Sequence, residues 1–165
     1  MSLLKALGGG LIGAAALTAI HETARRIFQD APRMDLLGMR ALAKTARAAG
    51  SEAPPKDELF GITMAGDIVA NSLYYSIAGL GDARHAALRG AALGLAAGVG
   101  AALLPGPLGL GADASARTPA TQAMTVAWYT AGGIAAGAAM QLLSAGEHDN
   151  RRRRRITYGG RRGNG

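Results

Sequence analysis

Long runs with few charged residues dominate this chain and limit what it can fold into. The clearest is LFGITMAGDIVANSLYYSIAGL, residues 59–80, which holds one charged side chain, Asp67, in 22 residues. A helix needs about 20 apolar residues to cross the hydrocarbon core of a bilayer, and about 17 at the least. Three further runs meet or approach this length, residues 3–20, 85–104 and 123–143. The pattern predicts an all-α integral membrane bundle of about four transmembrane helices.

Composition supports this fold class and excludes several chemistries. Apolar residues make up 49% of the 165 residues but aromatic residues only 4%, and glycine alone occurs 25 times. Small residues suit helices that pack closely in lipid, and this length suits one domain. The chain has no cysteine, which excludes a disulfide framework, a thiolate metal site and a cysteine nucleophile.

The segments between the runs carry their own local signals. In residues 34–49, Arg40, Lys44 and Arg47 recur along one side of a helix, which favours an amphipathic helix at the membrane interface over a solvated surface helix. The short link GLGDARH predicts that the second and third spans are antiparallel neighbours. Thr118 before Pro119 suits an N-cap followed by proline at the first helical position.

The positive charge is concentrated in one terminal segment. Residues 1–150 hold 11 basic and 11 acidic residues, so the net charge of +7 comes entirely from residues 151–165, RRRRRITYGGRRGNG. We expect a flexible tail that contacts anionic lipid or an acidic protein partner. One interleaved tyrosine, Tyr158, gives little support for base stacking, so nucleic acid is the less favoured partner. The lipid-contacting residues are expected to be Arg151, Arg152, Arg153, Arg154 and Arg155.

Glycines spaced four residues apart predict faces where helix backbones approach closely. Residues at this spacing share one helix face, and a face without side chains permits close contact. For the third span we favour contact within the bundle, but three such faces predict that at least one meets a partner protein. The series are Gly9 and Gly13 in the first span, Gly90, Gly94 and Gly98 in the third, and Gly133 and Gly137 in the fourth.

The polar residues of the second span form one stripe. At 100° per residue Thr63, Asp67, Asn71 and Tyr74 fall in a narrow arc, so we expect Asp67 to face the bundle interior. An ionised aspartate at mid-bilayer costs about 3 kcal/mol on insertion scales. We therefore favour a neutral Asp67 that hydrogen-bonds these neighbours, over a carboxylate that relays protons or binds an ion.

A second polar cluster, HETARR, follows the first span. Glu22 and Arg26 are four residues apart in the order that favours an ion pair, and His21 and Arg25 share the same spacing. We interpret the cluster as interfacial charge at a span end. The alternative is that His21 is a ligand for a metal or a tetrapyrrole, but no paired histidine motif supports a metal site.

Two stretches resemble a known class of proteins. LTAIHETARRIFQDAPRMDLLGMRAL and DELFGITMAGDIVANSLYYSIAG are similar to stretches in small multi-span bacterial membrane proteins that have no assigned activity. The resemblance implies a bacterial membrane setting and transfers no functional residues.

These observations lead to one functional hypothesis and one alternative. The chain is expected to be a non-catalytic accessory subunit of a larger membrane complex, such as an energy-transducing, respiratory or photosynthetic one. The alternative is a small proton-coupled transporter that uses Asp67. We expect a multi-pass protein of the bacterial inner membrane with both termini cytoplasmic. A version in which residues 3–20 only dip into the membrane leaves three spans and obeys the positive-inside rule better. No cofactor is identifiable, although the bundle could hold a lipid or a pigment.

Overall fold

The computed structural model describes the backbone of residues 1–159 and the side chains of residues 1–146. Within this part every regular element is helical, which confirms the all-α class. Two single 3₁₀ turns, Ile77–Gly79 and Ala83–His85, join the third helix to the fourth. The α-helices are α1 Leu3–Ile27, α2 Met34–Ala48, α3 Lys56–Ser76, α4 Ala86–Leu103, α5 Asp113–Ala116 and α6 Pro119–Gly159.

The helix ends differ from the predicted spans where polar residues continue a helix. α1 runs through the HETARR cluster to Ile27, and α6 continues past residue 143 to Gly159. The backbone of residues 151–159 is therefore helical, while residues 160–165 lie outside the described part. The start of α6 confirms the predicted cap: the Thr118 hydroxyl accepts the N–H of Thr121 at 3.1 Å, directly before Pro119.

Four long helices form the body of the bundle, with α6 between α1 and α4, and α3 on the other side of α1. Where two helices touch, residue numbers rise along one helix and fall along the other. These contacts show that α1 and α4 run in one direction and that α3 and α6 run in the other. The chain therefore begins at the end of the bundle where Ser144 lies, and the Ser144 hydroxyl is 3.3 Å from the Met1 sulfur. α2, α5 and the loop before α5 cover the opposite end.

The contact between α4 and α6 is made by the glycines of the two predicted series. A methyl group on Gly94 would lie 2.6 Å from the Cα of Thr130, and one on Gly98 would lie 2.7 Å from the Cα of Val126. Gly90 meets the backbone of Gly133 in the same way. These distances leave no room for any side chain, because carbon atoms in contact lie about 3.5–4.0 Å apart.

α1 and α6 meet through the glycine series of the first span, Gly9 and Gly13. A methyl group on Gly13 would overlap with α6, lying 2.7 Å from the carbonyl oxygen of Gly132, and one on Gly9 would lie 2.9 Å from that of Ala136. Gly137 faces the start of α4 at Ala86. All three glycine series therefore face other helices of this chain, and the expectation that one of them is left for a partner does not fit this arrangement.

α3 and α4 follow each other along the chain and run antiparallel, but they are not closely packed. They are joined at the linking turns, where the Arg89 guanidinium donates to the carbonyl of Ala78 at 2.8 Å. One turn further along, the Tyr74 hydroxyl donates to the carbonyl of Leu93 at 3.0 Å. Beyond that bridge the helices separate and leave a cleft.

Small residues occupy much of the interior of the bundle, and many large aliphatic residues lie on its surface. Ala14, Ala86 and Ala136 are almost fully buried, whereas Leu88 on α4 and Leu142 on α6 are 71% and 74% exposed. Soluble proteins bury most of their large aliphatic residues. Two helices of the described part, Leu3–Ile27 and Ala83–Leu103, are long and apolar enough to cross a membrane by length and composition.

Candidate functional site

The predicted polar stripe of α3 divides into separate interactions. Asn71 donates its side-chain amide N–H to the Asp67 carboxylate at 2.9 Å. The Thr63 hydroxyl is buried beside Gly38 of α2 and has no partner among the described residues. Tyr74 bonds to α4 instead. Of the expected hydrogen bonds to Asp67, the structure shows only that from Asn71.

Asp67 and Asn71 line the cleft between α3 and α4, whose volume is about 660 Å³. The facing wall is made of small residues of α4, among them Ala97 and Ala101, and the back wall includes Tyr129 of α6. The residues of α4 that face the cleft are all alanine or glycine, so the space opposite the carboxylate contains no protein atoms. The cleft is thus an apolar space with one carboxylate, one amide and two tyrosine rings.

Tyr129 is held in place by contacts with Tyr75 and His21. The Tyr75 hydroxyl donates to the Tyr129 carbonyl at 2.8 Å, and both residues are buried. The His21 ring lies 5.7 Å from the Tyr129 ring and 5.3 Å from that of Trp128, measured between ring centroids. His21 therefore packs among aromatic side chains in the core, and its Nε2 has no described hydrogen-bond partner.

The rest of the HETARR cluster forms an ion-pair network with α2. Arg25 pairs with Glu22 of its own helix and, at 3.2 Å, with Asp35. Asp35 also forms an ion pair with Arg33, at 2.8 Å. The predicted pair between Glu22 and Arg26 is not the one formed: Glu22 pairs with Arg25, and Arg26 is exposed. The reason is that Arg25 points toward α2, where Asp35 supplies a second carboxylate.

Asp35 is the electrostatic centre of this network. Its burial would raise the pKa of the carboxyl, but the hydrogen bond from Arg33 and the charges of Arg33 and Arg25 outweigh burial, and the pKa lies below its ordinary value. Asp35 is therefore a permanent anion at neutral pH. It joins the end of α1 to the start of α2.

The basic stripe of α2 contacts the chain's own loop. Arg40 forms a two-pronged ion pair with Asp113, at 2.8 and 2.9 Å, and also donates to the carbonyl of Leu110. Lys44 donates to the carbonyl of Leu108 at 2.6 Å. These bonds hold α2 across the end of the cleft. Sequence reasoning gave Asp113 no role, although an acid in a Pro/Gly loop is a natural partner for a basic helix face.

Metal binding finds no support in the described residues, where no three His, Asp or Glu side chains are grouped so that they could hold an ion. The expected lipid contacts of Arg151 to Arg155 concern side chains outside the described part. Comparison of the chain with protein-family models, with curated proteins and with solved structures finds no match to any of them.

Proposed function

We propose that the chain is a non-catalytic, integral membrane protein that packs as an accessory subunit against a larger membrane complex. The observation that carries this proposal is the distribution of side-chain size. Every long helix turns large apolar side chains outward, and alanine and glycine form the close helix contacts of an interior that also buries Leu17, Tyr75 and Met140. Such a surface suits lipid or an apolar partner, since monomeric soluble proteins rarely expose contiguous apolar patches larger than a few hundred Å².

The membrane arrangement we propose has four spans, α1, α3, α4 and α6. α3 and α6 are less apolar than α1 and α4, because α3 carries the polar stripe and α6 contains Thr, Trp and Tyr side chains. Their polar groups face the cleft or other helices, as with Tyr75 and Thr125, both fully buried. Outward on the same helices lie Val69 and Ile134. The proposed setting is the bacterial inner membrane, with both termini in the cytoplasm.

A subunit role is favoured over catalysis by the chemistry of the polar groups. The ion pairs of Asp35 and of Arg40 join α2 to neighbouring elements of the same chain. The hydroxyls of Tyr74, Tyr75 and Thr125 are bonded to backbone carbonyls. These groups are engaged in holding the fold, and an outer surface of leucine, isoleucine and valine remains for contact with other subunits or lipid.

Native mass spectrometry after mild detergent extraction tests the proposal. The tagged full chain should leave the membrane in a complex of defined mass that contains other membrane subunits. A matched variant that ends at residue 150 tests the arginine segment separately: we expect a folded bundle with fewer bound anionic lipids or a weakened complex. Recovery of the parent as a lone monomer or homodimer, or in the soluble fraction without detergent, would contradict the subunit proposal.

A further inference from the structure

The cleft between α3 and α4 contains a carboxylate that no described side chain of this protein neutralises. Among the described residues Asp67 forms no ion pair, and its one described hydrogen bond comes from the neutral amide of Asn71. The two arginines that follow α3 have other partners, since Arg84 pairs with Asp82 and Arg89 donates to the carbonyls of Ala78 and Asp82. An ionised Asp67 in this cleft has no counter-charge among the described residues, and a cation bound in the cleft would supply one and hold the carboxyl in its charged form.

The surroundings of Asp67 define the shape and polarity of that cation. The cleft volume of about 660 Å³ falls in the range of about 300–1,000 Å³ that is typical of small-molecule sites. Its walls are mostly apolar, which disfavours a small hydrated ion such as Na⁺ because only the few oxygens of Asp67 and Asn71 could replace the water shell. Tyr74 and Tyr129 line the cleft together with Asp67, and aromatic faces attract organic cations.

The route into the cleft also selects the ligand. The cleft lies between α3 and α4, and α2 closes one end of it with the apolar residues Met34, Leu37 and Ala41. This apolar end offers no polar path from the aqueous phase to Asp67. A cation that partitions into the membrane would reach the cleft directly between α3 and α4.

We propose that this cleft binds an amphipathic organic cation, whose positive centre lies against Asp67 and whose apolar groups lie between α3 and α4. The inference rests on the proposed membrane setting and does not depend on the partner complex. A neutral lipid would fill the same space, but it would leave the carboxylate without an opposite charge. An anionic lipid would place like charge beside Asp67.

Tetraphenylphosphonium is the probe, and tetraphenylborate is its control because it has nearly the same shape and the opposite charge. Equilibrium dialysis of the purified full chain in detergent micelles should give saturable binding of the cation at one site per chain and no saturable binding of the anion. Equal saturable binding of both ions would contradict the proposal and indicate a site selected by shape alone.

Two variants locate the site. Asp67→Asn is close to the parent in shape and should weaken cation binding at least about tenfold. Asp57→Asn, on the exposed first turn of the same helix, should bind like the parent. Ala97→Phe fills the cleft without removing the carboxylate and should also abolish binding, so it decides the matter if the Asn variant does not fold. Parent-like affinity in Asp67→Asn or Ala97→Phe would overturn the inference.

Discussion

Gly90 and Gly133 face each other where α4 crosses α6, and the carbonyl oxygen of each occupies the position that a methyl group on the other would need. The two backbones are in direct contact. Close contact of this kind gains dispersion energy and Cα–H···O interactions that a larger residue would prevent. α6 is thus fixed against α4 by backbone contact, and it also contacts α1.

Gly133→Ala should destabilise the bundle. The added methyl group would overlap with backbone atoms of α4, which cannot move away as a flexible side chain can, and overpacking costs about 1–3 kcal/mol or more. Melting in detergent, followed by circular dichroism, measures the loss. Gly66→Ala on α3 is the control, because no atom lies within 4 Å of the added group. Equal melting temperatures for the two variants would show that this contact is not formed.

Substitutions at Asp67 separate its structural role from its charge. Asp67→Asn keeps a hydrogen-bonding partner for Asn71 and should fold and assemble almost as the parent does. Asp67→Leu leaves the Asn71 amide without its partner and should cost about 1–2 kcal/mol. Extraction yield and melting temperature report both variants. If the Asn variant is as unstable as the Leu variant, the charge itself holds the fold. If it folds normally but loses a proton-driven flux in vesicles, the transporter alternative gains over the subunit proposal.

We expect the free energy of unfolding to depend on pH through Asp35. Since its pKa is lowered in the folded protein, its contribution is fully present above the ordinary aspartate pKa of about 3.9 and is lost as the pH falls through the lower folded value. Asp35→Asn should cost about 1–3 kcal/mol at neutral pH, less than a fully buried pair because Arg33 is partly exposed.

The gap in melting temperature between the parent and Asp35→Asn should narrow below about pH 4, where protonation removes the same charge from the parent. Glu52→Gln, in the exposed loop after α2, should melt with the parent at every pH. A gap that stays constant down to the lowest pH would mean that Asp35 acts through shape and not through charge.

Local sequence patterns predicted the helices, but contacts between residues far apart in the sequence could not be predicted from them. The low charge density and the Thr118–Pro119 signal depend on neighbouring residues, so the all-α class and the start of α6 followed from the sequence. The bond from Asn71 to Asp67 spans one helical turn and was equally accessible. In contrast, Arg40 meets Asp113 across 73 positions of the chain, a pairing that depends on how the helices are arranged.

The same limit explains the errors. A glycine series predicts a close helix contact but does not identify the helix that makes it. The sequence alone could therefore not distinguish a contact with α6 from a contact with a partner protein. Tyr74 was expected to turn toward Asp67, but its long side chain reaches the carbonyl of Leu93 on α4. The cleft itself could not be predicted, because it depends on the separation of α3 from α4 after the bridge at Tyr74.

Single-cysteine labelling tests the four-span membrane bundle most directly, because the chain has no cysteine of its own. Ser2→Cys and His85→Cys lie at one end of the bundle, and Ser51→Cys and Ala112→Cys lie at the other; all four positions are exposed. In sealed vesicles, a membrane-impermeant maleimide should label the first pair from one side only and the second pair from the opposite side only. Labelling of all four positions from the same side would contradict a bundle that spans the membrane.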